Sequence, residues 1–149
     1  MSETAKVDGP MILVVDDDEH LRELHEQLLS GAGYTVVLAS SGPEAVEAAQ
    51  NEAVDLVLLD LAMPGMDGIE AMARMLDANR QLPVIIYTAY STYRDDFQTW
   101  TAEAYVTKES SRAELLKAIR EALEKRGRAV PDAALQAEQV EAGEDAKQG

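Results

Sequence analysis

Five short apolar runs alternate with segments of helical spacing, and that alternation limits the possible folds more than any other feature of the sequence. The runs are MILVV at 11–15, YTVVLA at 34–39, LVLL at 56–59, PVIIYT at 83–88 and AYVT at 104–107. They are rich in Val, Ile and Leu and mostly lack alternation with polar residues, as strands buried on both faces do. Apolar residues also recur at helical intervals after each run: Leu21, Leu24 and Leu28; Ala45, Val46 and Ala49; Ile69, Met72, Ala73 and Leu76; Tyr93, Phe97 and Trp100; Leu115, Ile119 and Leu123. Each set makes one apolar stripe. SGPE at 41–44 and SRAE at 111–114 place Ser three residues ahead of Glu, the spacing of a capping box. Such alternation predicts a parallel sheet with helices on both faces and right-handed crossovers. Ligands of these sheets bind beyond the carboxyl ends of the strands, where strand order reverses; for the order 2-1-3-4-5 that place lies between strands 1 and 3.

The residues at the strand ends carry the chemistry. The first run passes without a spacer into Asp16, Asp17, Asp18 and Glu19. Two carboxylates 4 Å apart repel by roughly 4 kcal/mol near a protein surface, so the acids need either water or a cation. The third run ends at Asp60, the fourth at Thr88 and Ala89, and the fifth leads to Lys108. Acids from adjacent strands make a hard oxygen site suited to Mg²⁺, which takes one or two carboxylates, several waters and a phosphate. Asp18 and Glu19 suit the start of a helix, where negative charge meets the positive end of the dipole. His20 and His25 are five residues apart and fall on different helix faces, which argues against a two-His zinc site.

The 149 residues suffice for one full domain. The chain has 13 Lys plus Arg against 28 Asp plus Glu, and its net charge of -15 opposes direct binding to nucleic acid or anionic membrane. There is no cysteine, so neither a disulfide framework nor a thiolate metal site is available. The start, MSETAKVDGP, lacks the apolar run of a signal peptide, and no stretch is long enough to span a membrane, so the expected location is the cytoplasm. The organisation read from composition is a flexible lead at 1–10, a domain at 11–126 and an acidic tail at 127–149. The tail has no aromatic residue and few aliphatics, which predicts a solvated, disordered segment with some transient helix.

ILVVDDDEHLR, DLVLLDLAMPGMDGIEAM, PVIIYTAY and AYVTKES together resemble the receiver domain of two-component response regulators, the CheY-like family, over about residues 11–126. Any one element is weak; their order and spacing make the resemblance specific. It implies a doubly wound, flavodoxin-like α/β fold of five βα units. It makes Asp60 the phosphoryl acceptor, with Asp16, Asp17, Asp60 and the backbone carbonyl of Ala62 as the Mg²⁺ site. Chemistry supports those roles: a carboxylate can form an aspartyl phosphate, and the transfer needs positioning and charge neutralisation more than covalent help. Lys108 would neutralise the phosphoryl, Thr88 would donate its hydroxyl to it, and Ala89 would leave room. The resemblance also implies a switch, in which Thr88 moves inward and Tyr105 turns into the vacated space. The output surface would be the helix carrying Tyr93, Phe97 and Trp100, the strand at 104–107 and the helix after it.

The implied function is a stand-alone response regulator, phosphorylated by a histidine kinase or histidine phosphotransfer protein and read by a downstream protein target, as a monomer or a phosphorylation-dependent dimer. It is not an enzyme toward external substrates; it catalyses only its own phosphoryl acceptance and a slow dephosphorylation. A phosphorylation-independent adaptor is the alternative, and the presence of both Asp60 and Lys108 weighs against it. A Mg²⁺-dependent phosphatase would carry a second Asp two residues after the nucleophile, where this chain has Ala62. The chain departs from the family pattern in three places. Glu109 stands where receivers have Pro after a cis bond, and without Pro a cis bond costs about 2.5 to 4 kcal/mol, which predicts a trans bond. The segment from Thr88 to Lys108 is about two residues shorter than the family pattern and lacks its Gly-Ala turn, which predicts a short or displaced helix before the strand at 104–107. Ala62 and Tyr90 offer no group to orient an attacking water, which predicts a long-lived aspartyl phosphate.

Overall fold

Each of the five apolar runs supplies a strand: β1 (Met11–Val15), β2 (Thr35–Ala39), β3 (Leu56–Leu59), β4 (Val84–Thr88) and β5 (Ala104–Thr107). The structure, a computed structural model, describes residues 9–60, 68–88, 102–108 and 110–148, with Thr88 and 144–148 in backbone only. All strand pairs are parallel, as the alternation predicts, and the sheet order is β2-β1-β3-β4-β5, the order of the flavodoxin-like fold that the resemblance implies. The central strands β1 and β3 bury nearly every side chain, which is why they read as unbroken apolar runs.

Among the described residues the helices are α1 (Glu19–Gly31), α2 (Gly42–Asn51), α3 (Gly68–Ala78), α4 (Arg112–Lys125) and α5 (Asp132–Gln148). One face of the sheet packs Ile12, Val14, Leu56, Leu58 and Ile85 against α1 and α4. The other packs Leu13, Val15, Val57, Leu59 and Ile86 against α2 and α3. Successive residues of a strand point to opposite faces, so a single apolar run serves two cores. The capping boxes differ. Ser111 and Glu114 close a full reciprocal box at the start of α4. At α2, Ser41 accepts from the Glu44 amide, but Glu44 turns to the amide and hydroxyl of Ser40 instead. The Tyr93, Phe97 and Trp100 stripe, residues 1–8 of the lead at 1–10, Ala62, Ala89, Tyr90 and Glu109 lie outside the described residues.

Composition predicts a solvated tail for 127–149, and here the structure differs. Residues 132–148 form α5, which lies along α4 and touches α1. Ala134 is buried, Val130 and Ala137 pack on the core, and Glu138 holds Arg120 with two hydrogen bonds. The segment cannot build a core of its own, but it adds its few apolar side chains to one that already exists. Leu24 shows the complementary difference: it belongs to the predicted apolar stripe of α1 yet is 36% exposed, because α5 covers that stripe only in part.

Candidate functional site

β1 ends at Val15 and β3 at Leu59, so Asp16 and Asp60 are the first residues beyond two neighbouring strands. Both are still held by the sheet: the Asp16 amide donates to Ala39 (3.1 Å) and the Asp60 amide to Val15 (3.0 Å). Lys108 follows the last residue of β5. Its Nζ donates to Asp60 Oδ2 at 3.1 Å and lies 3.5 Å from Asp16 Oδ2. Asp16 and Asp60 are buried, whereas Asp17 is exposed, and carboxylate oxygens of all three lie within 4.8 Å of one another.

Local chain geometry fixes Asp16 further. Its Oδ1 accepts from the Asp18 amide at 2.9 Å, while Asp18 caps α1 by accepting from the amides of His20 and Leu21. The helix start thus orients one carboxylate and uses the next as its cap. Burial raises the Asp16 carboxyl above its ordinary pKa, and Asp60 adds to the rise; the Asp18 amide and Lys108 oppose it without cancelling it. Burial alone would lower the Lys108 ammonium, but the hydrogen bond to Asp60 and the charge of both acids outweigh it and hold Lys108 raised.

The donor set fits a small hard cation. Opposite ligands of an octahedral Mg²⁺ stand about 4.2 Å apart, so three carboxylates within 4.8 Å need little adjustment, or one intervening water, to share the ion. Carboxylates of like charge, two of them buried, gathered beside the Lys108 ammonium form the kind of place where a divalent ion is worth most.

Of the other sequence-predicted residues, Thr88 is the last residue of β4 and pairs in register with Thr107. Tyr105 is half-buried on β5 and packs toward the core formed with α2 and α3. Sequence reasoning missed Arg22, whose Nη1 donates to the Asp16 carbonyl at 2.7 Å, tying the strand end to the second turn of α1. It also missed the contact of His25 with Tyr87, edge to face with centroids 4.9 Å apart. Neither carries a spacing signal; both depend on how α1 is rotated on the sheet.

Comparisons with known proteins agree with this geometry. The family described as the response regulator receiver domain matches residues 12–120. The uncharacterized transcriptional regulatory protein YkoG of Bacillus subtilis is 36% identical over 123 residues, 81% of this chain and 54% of that protein. The probable transcriptional regulatory protein TcrX of Mycobacterium tuberculosis is 32% identical over 127 residues, 84% of this chain and 54% of its own length. The chain thus spans about half the length of these two curated relatives. The response regulator TrrA of Thermotoga maritima, solved in complex with Mg²⁺ and BeF, superposes with a TM-score of 0.74 at 37% identity, covering 76% of this chain and 99% of that one. The same regulator in complex with the histidine kinase ThkA gives 0.72 at 37% identity, covering 76% and 98%.

Proposed function

This chain belongs to the response regulator receiver family, and from that premise we propose that it accepts a phosphoryl group on Asp60 from a histidine kinase or a histidine phosphotransfer protein. The observation that carries the reading is the meeting of Asp16, Asp17, Asp60 and Lys108 at the carboxyl ends of β1, β3 and β5. Asp60 is the nucleophile: one carboxylate oxygen forms a bond to phosphorus as the P–N bond of the donor phosphohistidine breaks, and the imidazole leaves with its electron pair. Asp16, Asp17, Asp60 and the carbonyl of Ala62 would hold Mg²⁺, which supplies positive charge to the incoming phosphoryl. Lys108 already donates to Asp60 and can follow an oxygen of the phosphoryl with the same ammonium. Thr88, at the end of the neighbouring strand, is assigned the remaining donor, and Tyr105 the switch.

The output in this reading is a change in protein binding over β5 and α4 with the segment that precedes β5. A net charge of -15 argues against this module touching DNA directly. The reading concerns residues 12–120 and holds equally for a chain acting alone or beside another module.

Acetyl phosphate with Mg²⁺ tests the acceptor. The chain gains about 80 Da, the mass of one phosphoryl group, and Asp60→Asn gains none. Labelling that persists in Asp60→Asn removes the assignment. A second expected result concerns lifetime: Tyr90→Glu, which introduces a carboxylate able to orient water, hastens loss of the phosphoryl about tenfold in Mg²⁺. An unchanged or slower loss counts against the proposed reason for a long-lived phosphoryl.

A further inference from the structure

The helix α5 is anchored unequally along its length. It begins at the end of the sheet opposite Asp60, where Pro131 presses on Gly33, a residue at φ +94° whose added Cβ would stand 2.8 Å from Pro131 Cβ. Ala134 is buried next to it, and Glu138 grips Arg120 with both carboxylate oxygens. Among the described side chains beyond that point, Val140 and Glu141 are held less firmly. Val140 is 62% exposed, and Glu141 meets Arg112, the first residue of α4, only at 3.9 Å. Between this distal half and α1 lies a cleft of about 450 Å³, lined in part by Leu24, Leu28, Arg112, Ala137 and Val140. A helix seated mainly through small side chains and one partly buried ion pair at its middle opens locally at a lower free energy than the core beneath it.

The position of that half gives its opening a consequence. α1 begins three residues after Asp16, and α4 begins four residues after Lys108, so the first turns of both helices rim the site. Glu141 reaches Arg112 on that rim. A small phosphoryl donor enters past side chains, whereas a protein that carries its phosphoryl on a histidine must rest its body on the flanking helices. We propose that α5 is a hinged strap, which pivots near Pro131 and in its docked position denies a protein phosphodonor the face formed by α1 and α4. The inference rests on the reading of Asp60 as acceptor.

The chain has no cysteine, which makes a chemical clamp clean. In full-length Leu24→Cys/Val140→Cys, a bismaleimide reagent ties the two sides of the cleft together. Two donors are compared before and after clamping: acetyl phosphate, and the autophosphorylated core of a histidine kinase chosen because it phosphorylates the untreated chain. The expected result is unchanged labelling by acetyl phosphate and a fall of about tenfold or more in transfer from the kinase. In the opposite direction, Glu138→Ala/Glu141→Ala loosens the strap and raises transfer from the kinase severalfold while leaving acetyl phosphate labelling as it was. Clamped and unclamped chains that take phosphate from the kinase equally well overturn the proposal. So does an equal loss from both donors, which would make α5 a support of the site and not a barrier to it. Failure of acetyl phosphate to label Asp60 in the untreated chain refutes the acceptor reading instead, so the two failures are distinct.

Discussion

Lys108→Met lowers stability by about 3 kcal/mol in the absence of divalent cations, roughly 10 °C in melting temperature for a domain of this size. The substitution keeps an unbranched apolar stem of equal length, with sulfur in place of Cδ, and removes the ammonium, which lies 3.1 Å from Asp60 and 3.5 Å from Asp16. The carboxylate side chains are 6% and 3% exposed and the lysine 23%, so the value belongs at the lower end of what breaking a buried pair costs. Without the shared cation the two acids repel, and the cheapest relief is another positive charge. Magnesium should therefore stabilise Lys108→Met more than it stabilises the unmodified chain, where the ammonium already occupies part of the same field. At a concentration one hundred times the dissociation constant, binding to the folded state alone is worth about 2.7 kcal/mol, enough to return most of the loss. Thermal melts of both proteins in EDTA and in a magnesium series decide the matter. Equal magnesium increments in the two proteins would show that Lys108 and the ion do not act on the same carboxylates. The same variant should accept phosphate more slowly at saturating magnesium, since the transferring phosphoryl loses a donor that an ion elsewhere in the site does not replace.

The acids and the lysine were legible because strand ends are legible. Asp16, Asp60 and Lys108 each follow an apolar run directly, and a parallel sheet of known order brings the ends of β1, β3 and β5 to one edge whatever the side chains do. Helix faces were less so. Leu24 has the spacing of a buried residue, but burial depends on what lies outside α1, and α5 covers Leu28 better than Leu24. The same omission hid α5 itself: a segment with Ala134, Ala137 and two larger aliphatics on opposing sides shows no stripe, and its order comes from Arg120 and the flank of α4. Arg22 and His25 lie beyond periodicity for a related reason. Their partners, the Asp16 carbonyl and the Tyr87 ring, are a backbone group and a residue on a strand five elements away, which no local pattern specifies.

His25 supplies the second large effect, an acid sensitivity confined to one side chain. It is 7% exposed, its Nδ1 has no hydrogen-bond partner among the described residues, and its ring meets Tyr87 edge to face. Burial, with Lys108 and Arg112 adding positive charge nearby, lowers its pKa to about 4 from an ordinary 6.5. In the unfolded chain the imidazole takes up a proton as the pH falls through 6.5; in the folded protein it stays neutral until about 4. The unfolded state thus binds more protons across that window, so the stability present above pH 6.5 is lost as the pH drops toward 4, by about 3 kcal/mol in all. Phenylalanine keeps the ring against Tyr87 and cannot take the proton. The difference in unfolding free energy between His25→Phe and the unmodified chain should therefore widen by that amount from pH 7 to pH 4, and taking the difference cancels the titration of the 28 carboxylates common to both. Urea melts at half-unit steps of pH measure it. Stability curves that run parallel through the window, whatever their constant offset, would mean that the buried imidazole is protonated in the folded state or reaches water there.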